Sequence, residues 1–142
     1  MIRMNPVFGI NPQPPMFWPS KAMAIRNGFL EDLNQNHDRL IKEMGFLLSM
    51  TMEAAAYRKY VELNSAARDA GDDIQSRLYT ILDALGRAVK RNRAEGLHSN
   101  RLHLTFFCVL NSVQAERCQL EAIMEPDDDG RPSIRFKMKS SH

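Results

Sequence analysis

The stretch Leu102–Met124, LHLTFFCVLNSVQAERCQLEAIM, decides the fold class of this chain. With a period of three to four residues, its apolar side chains form one helical stripe, made of Leu102, Phe106, Val109, Val113, Leu120 and Met124. With a period of two, residues 102–110 alternate like a strand and are rich in β-forming residues. The first pattern predicts an all-α protein, and the second predicts an α+β protein.

The two cysteines distinguish these alternatives. A hairpin centred on Val113 places Cys108 directly opposite Cys118, whereas a helix separates them by about 15 Å, which is too far for a disulfide. The segment Gln114-Ala115-Glu116-Arg117 consists of good helix formers. We therefore predict a helix here, and keep an α+β fold with a C-terminal antiparallel sheet as the alternative.

Prolines divide the rest of the chain into three zones. Five of the seven prolines lie at or before Pro19, and the other two are Pro126 and Pro132. Because proline breaks helix interiors, we predict a flexible proline-rich arm at 1–19, a helical domain at 20–125, and an acidic turn with a basic tail at 126–142. In that tail, Ile134 and Phe136 alternate with basic residues, which predicts a short strand at a sheet edge or in the tail.

The proline-free zone predicts two further helices. The first runs from a cap at Ser20 to Gly71, with bends expected at Gly28, at 34–36 and at Gly45. The second follows Asp72 and Asp73, buries a stripe from Ile74 to Ala88, and ends in a basic turn. Together with 102–124, they predict an antiparallel bundle of three helices, or of four if the first helix breaks.

Composition limits the setting of the protein. A chain of 142 residues, 44% hydrophobic and 25% charged, is typical of one globular domain. Its net charge of +2 does not by itself indicate a polyanionic partner. Two cysteines, no secretory leader and no apolar run long enough to cross a bilayer favour a cytoplasmic protein without a membrane partner.

The leading functional hypothesis is a helical interaction or structural protein. It is a self-assembling subunit, or an adaptor or chaperone of a larger assembly, because a long amphipathic helix needs a second surface to cover its stripe. An uncharged arm that carries Phe and Trp beside prolines is suited to docking on a neighbour. The residues predicted to bind the partner are Phe17, Trp18, Leu33, Leu40, Met44, Leu47, Ile134 and Phe136.

The alternative hypothesis is a small nucleic-acid-binding regulator. Clustered cations provide salt-sensitive phosphate contacts, although no helix-turn-helix or zinc signature accompanies them. The predicted contacts are Arg87, Lys90, Arg91, Arg93 and Arg101.

An enzyme without a recognisable motif is the third hypothesis. Cys108 and His103 are the one conceivable nucleophile and base, but the apolar neighbours of Cys108 indicate an inert buried thiol. The histidines, His37, His98 and His103 among them, lack ligand spacing. We therefore predict no catalytic residue, no cofactor and no metal.

Overall fold

The computed structural model describes residues 20–69, 71–96, 99–110 and 114–139. Along the chain, the elements are α1 (Lys21–Arg26), β1 (Leu30–Asp32), α2 (Leu33–Glu43), β2 (Ser49–Glu53), α3 (Ala54–Tyr60), α4 (Ser65–Asp69), α5 (Ile74–Ala94), β3 (Arg101–Val109), β4 (Ala115–Pro126) and β5 (Pro132–Met138). The predicted all-α bundle is therefore wrong: the fold is α+β.

The five strands form one mixed sheet in the order β1-β2-β5-β4-β3. Strands β2 and β5 are parallel, and the other neighbours are antiparallel. Strand β5 lies in the centre of the sheet, so the prediction of a strand at an edge or in a tail was wrong about its place. β5 pairs with β2, which lies far away in the sequence, and no local pattern reports such a pairing.

The segment that decides the fold is a pair of strands. From Arg101 to Val109, every second side chain is buried, which is the pattern of a strand with one face in the core. Helix propensity at Ala115–Arg117 is overridden because these residues pair with β3 in a continuous register. Phe106 lies directly opposite Cys118, so the two cysteines are diagonal neighbours on one face of the sheet.

The first predicted helix breaks into several short elements. Gly28 and Gly45 adopt φ of +82° and +93° and end helical segments, and α2 is kinked at His37, directly after the bend expected at 34–36. This left-handed region favours glycine, which has no Cβ to clash. Between the helices, the buried side chains of Met50 and Met52 point into the core from β2.

The second predicted helix is confirmed as α5. Asp73 caps it by accepting a hydrogen bond from the Ser76 amide at 2.7 Å. Its inward stripe packs with β3, β4 and β5 in the hydrophobic core, together with residues of α2 and α3. The core-facing residues of α5 and β3 include Leu78, Ile81, Leu82, Leu85, Leu102, Leu104 and Phe106.

One buried cation joins α5 to the end of β3. The side chain of Arg77 is 2% exposed and donates hydrogen bonds to the Asp72 carboxylate (2.9 Å), the Glu62 carbonyl (2.6 Å) and the Val109 carbonyl. Removing this buried cation takes a donor away from each of its acceptors, which costs more than the loss of an exposed ion pair.

We expect Arg77→Met to lower the free energy of unfolding by about 3–5 kcal/mol, measured by urea titration with far-UV circular dichroism. The matched control is Arg87→Met on the same helix, where the exposed ion pair with Asp83 is lost, and we expect a change of less than about 1 kcal/mol. Equal effects of the two substitutions would contradict a structural role for the buried guanidinium.

Candidate nucleic-acid interface

Helix α5 presents four cations to solvent near its carboxyl end. The 3.6-residue period turns Leu85 and Ala88 towards the sheet. It leaves the side chains of the other face exposed, and these include Arg87, Lys90, Arg91 and Arg93. Cations at this end also interact favourably with the helix dipole, so their position stabilises the helix as well as placing positive charge on the surface.

Ion pairing divides the five predicted contacts into two groups. Arg87 is paired with Asp83 at 3.1 Å, and Arg101 is paired with Glu121 at 2.9 Å. Among the described residues, no ion pair is formed by the other three cations, which are Lys90, Arg91 and Arg93. We call these three residues the basic helix end.

Arg101 lies at the start of β3, shortly after the end of α5. Its neighbour Leu102 points into the core under α5, so Arg101 points to the opposite side of the sheet. We call this side, opposite to the one that α5 covers, the outer face. The predicted cations are thus divided between the helix layer and the outer face, and Arg101 does not belong to the basic helix end.

On the part of the outer face formed by β2, β5 and the end of β4, charged side chains are paired with one another. Lys21 of α1 lies 3.0 Å from Glu125 and donates to Ser133 at 2.7 Å. Arg135 contacts both Glu53 and Glu125 at 3.0 Å. Burial raises the pKa of Glu125, but the bonds from Arg135 and Lys21 outweigh it and hold that pKa below its usual value. These cations are already neutralised within the chain.

The rest of the outer face is open and carries side chains of β3 and β4. Four residues of β3 are exposed there, Arg101, His103, Thr105 and Phe107, and Arg117 is exposed on β4. Glu121 is buried beneath them and lies 3.5 Å from His103 as well as close to Arg101. The helical interpretation of 102–124 missed Phe107 as an exposed residue. The alternation of Leu102, Leu104, Phe106 and Cys108 was the signal that could have revealed it.

The residues predicted to bind a protein partner have other surroundings. Leu33, Leu40, Ile134 and Phe136 are buried in the core of the chain, and Met44 packs partly against it. Strand β5 offers no edge for strand addition, because β2 and β4 occupy both of its sides. Leu47 is 86% exposed. Phe17 and Trp18 lie outside the described residues.

The thiols are not placed for catalysis. Cys108 and Cys118 are free and buried, and burial raises the pKa of Cys108 to about 11. His103 points to the outer face, whereas Cys108 points to the core, so the structure does not bring this pair together. His98 lies outside the described residues, and no group of three or more potential metal-ligating side chains occurs in the part of the chain that the structure describes.

A cavity of about 270 Å³ lies between the amino-terminal half of α5 and the end of β3. Its lining includes Ser76, Thr80 and Phe107, and its two charged residues are Asp72 and Arg77. These two residues form an ion pair with each other.

The comparisons with known proteins give a single result. No known family, curated protein or solved structure significantly matches this chain. Within the described residues, no helix is both long and apolar enough to span a membrane.

The burial of Cys108 predicts that its thiol reacts slowly in the folded protein. Because its pKa is about 11 rather than 9.0, the thiolate fraction at pH 8 is roughly 100-fold lower than for an ordinary cysteine. The shift comes mainly from burial, with a smaller contribution from Cys118. In Cys118→Ala, we therefore expect a disulfide reagent to modify Cys108 at least about 10-fold more slowly in the folded protein than in urea. Rapid modification of the folded protein would contradict the buried position and restore Cys108 as a candidate nucleophile.

Proposed function

We propose that the protein binds nucleic acid, with the basic helix end as its phosphate-binding surface. The observation that supports this most is the set of three exposed cations, Lys90, Arg91 and Arg93, for which the described residues provide no carboxylate partner. Unpaired cations on one helix end attract a polyanion because the release of its counterions favours binding.

The interaction hypothesis has lost its main physical support. It relied on an uninterrupted helix whose apolar stripe required a second surface, but the chain covers that stripe with its own sheet. Assembly with a protein partner stays a prediction, and Leu47 is the residue predicted to bind that partner which the described surface leaves widely exposed. The described residues show no group of side chains that supports enzymatic activity.

The expected binding is modest and sensitive to salt. Three phosphate contacts give a slope of about −2 to −3 for the logarithm of the binding constant against the logarithm of salt concentration. Arg87 and Arg101 contribute less, since Asp83 and Glu121 offset their charges. Such a surface positions a nucleic acid without reading its sequence.

The test is fluorescence anisotropy of labelled oligonucleotides across a salt series. We expect the triple variant Lys90→Ala, Arg91→Ala, Arg93→Ala to bind more weakly. The steepness of the salt dependence should decrease, with the slope moving towards zero by about 1 for each cation removed. All three residues are exposed, so the substitutions should leave the fold intact.

The matched control removes the same charge from other helices. Arg26, Arg58 and Arg68 are exposed on α1, α3 and α4 and form no ion pair within the described residues, and replacing all three by Ala should change the affinity much less. Equal losses of affinity in both triple variants would show that binding depends on net charge alone and not on the basic helix end. Absence of binding by the unaltered protein at low salt would reject the proposed function.

A further inference from the structure

We propose that the open part of the outer face binds single-stranded nucleic acid and that Phe107 stacks on one of its bases. This inference rests on the proposed function, because it assigns a class of ligand to the same protein. The side chain of Phe107 is 62% exposed, whereas its neighbour Phe106 is buried in the core. The strand thus holds one aromatic ring in solvent.

The hydrogen-bond pattern places Arg117 close beside that ring. The Met124 amide donates to the Asn100 carbonyl at 2.7 Å, and the register from Arg101 to Val109 is continuous. Opposed residues in an antiparallel pair alternate between hydrogen-bonded and non-hydrogen-bonded pairs. Phe107 and Arg117 therefore form a non-hydrogen-bonded pair, in which Cβ atoms lie about 4.5–5.5 Å apart.

The charge of this surface complements a phosphate backbone. Arg117 is exposed and forms no ion pair within the described part of the chain. Lys137 lies across from Glu121 on β5, is half-buried and also acts on the Glu53 carboxylate. Glu121 is the carboxylate beneath them, and it is already bonded to Arg101. The open part of the outer face consequently keeps an excess of positive charge.

The surroundings of Phe107 favour a nucleic acid over a protein partner. Its cross-strand and same-face neighbours are Arg117, Thr105 and Gln119, with the small apolar side chains of Val109 and Ala115 on its other side. The apolar surface around the ring is therefore small. A hydrophobic partner gains little from such a surface. An unpaired base, by contrast, stacks on an aromatic ring while nearby cations bind its phosphates.

The part of β3 that carries Phe107 is held in place by hydrogen bonds just beyond it, and the same strand leads back to Arg101. Arg77 binds the Val109 carbonyl, and Asn64 binds the Leu110 carbonyl, so the strand is fixed just beyond Phe107. In the other direction, Arg101 lies about 20 Å away at roughly 3.3 Å per residue, where the chain arrives from the carboxyl end of α5. A duplex gains nothing from the ring, because its bases are stacked inside the helix.

The test compares Phe107→Ala with the unaltered protein on single-stranded and duplex oligonucleotides of equal length. We expect single-strand affinity to fall roughly 5- to 100-fold, with little change for the duplex and an unchanged salt slope. Phe107→Tyr should restore most of the single-strand affinity because it keeps the ring. The matched control is Tyr79→Ala, since Tyr79 is an aromatic residue 50% exposed on α5, and we expect no loss.

The outcomes separate this inference from the proposed function. If binding depends on the basic helix end but not on Phe107, the stacking site is rejected and the proposed function stands. If no oligonucleotide binds, both are rejected. Equal losses for single-stranded and duplex ligands in Phe107→Ala would also overturn stacking, as would a change in solution mass in that variant, which would assign Phe107 to contact between two copies.

Discussion

The guanidinium of Arg77 is the constraint on which the arrangement of helix and sheet depends. It can shed neither its charge nor its need for acceptors, and its side chain is almost completely buried. Its three partners come from different parts of the chain: the Asp72 carboxylate before α5, the Glu62 carbonyl after α3 and the Val109 carbonyl at the end of β3. Because one side chain must reach all three, the start of α5 is fixed against the end of the outermost strand.

Local physical chemistry was enough to predict some elements from sequence and not others. Helix α5 was predictable, because its cap at Asp73 and its apolar period lie within one segment. The turns at Gly28 and Gly45 were predictable for the same reason. The sheet was not, since β2 and β5 pair in parallel from distant parts of the chain. In the sequence, Met50 and Met52 fit a helical period. Only the pairing of β2 with β5 shows that they belong to a strand.

The candidate site divides in the same way. The cations at the end of α5 are visible as a cluster in the sequence, but their availability depends on partners that lie elsewhere. Arg101 is ion-paired with Glu121. The two residues are close together only because of the register in which β3 and β4 pair. The exposure of Phe107 depends on strand phase, because a shift of one residue exchanges the two faces of a strand. Sequence can therefore suggest which residues are charged or aromatic, and the register decides which of them reach solvent.

The two candidate surfaces use different physics and therefore complement each other. In the proposed function, the basic helix end would attract phosphates over several ångströms, would weaken with salt and would not distinguish single strands from duplexes. The proposed stacking on Phe107 would act at contact distance, would be insensitive to salt and would require a base that has left its stack. Arg101, which lies between the two surfaces along β3, has its charge offset by Glu121. A ligand with only a phosphate backbone would satisfy the first surface, whereas the second requires an accessible base, so we expect any discrimination for single strands to arise from the sheet rather than from the helix.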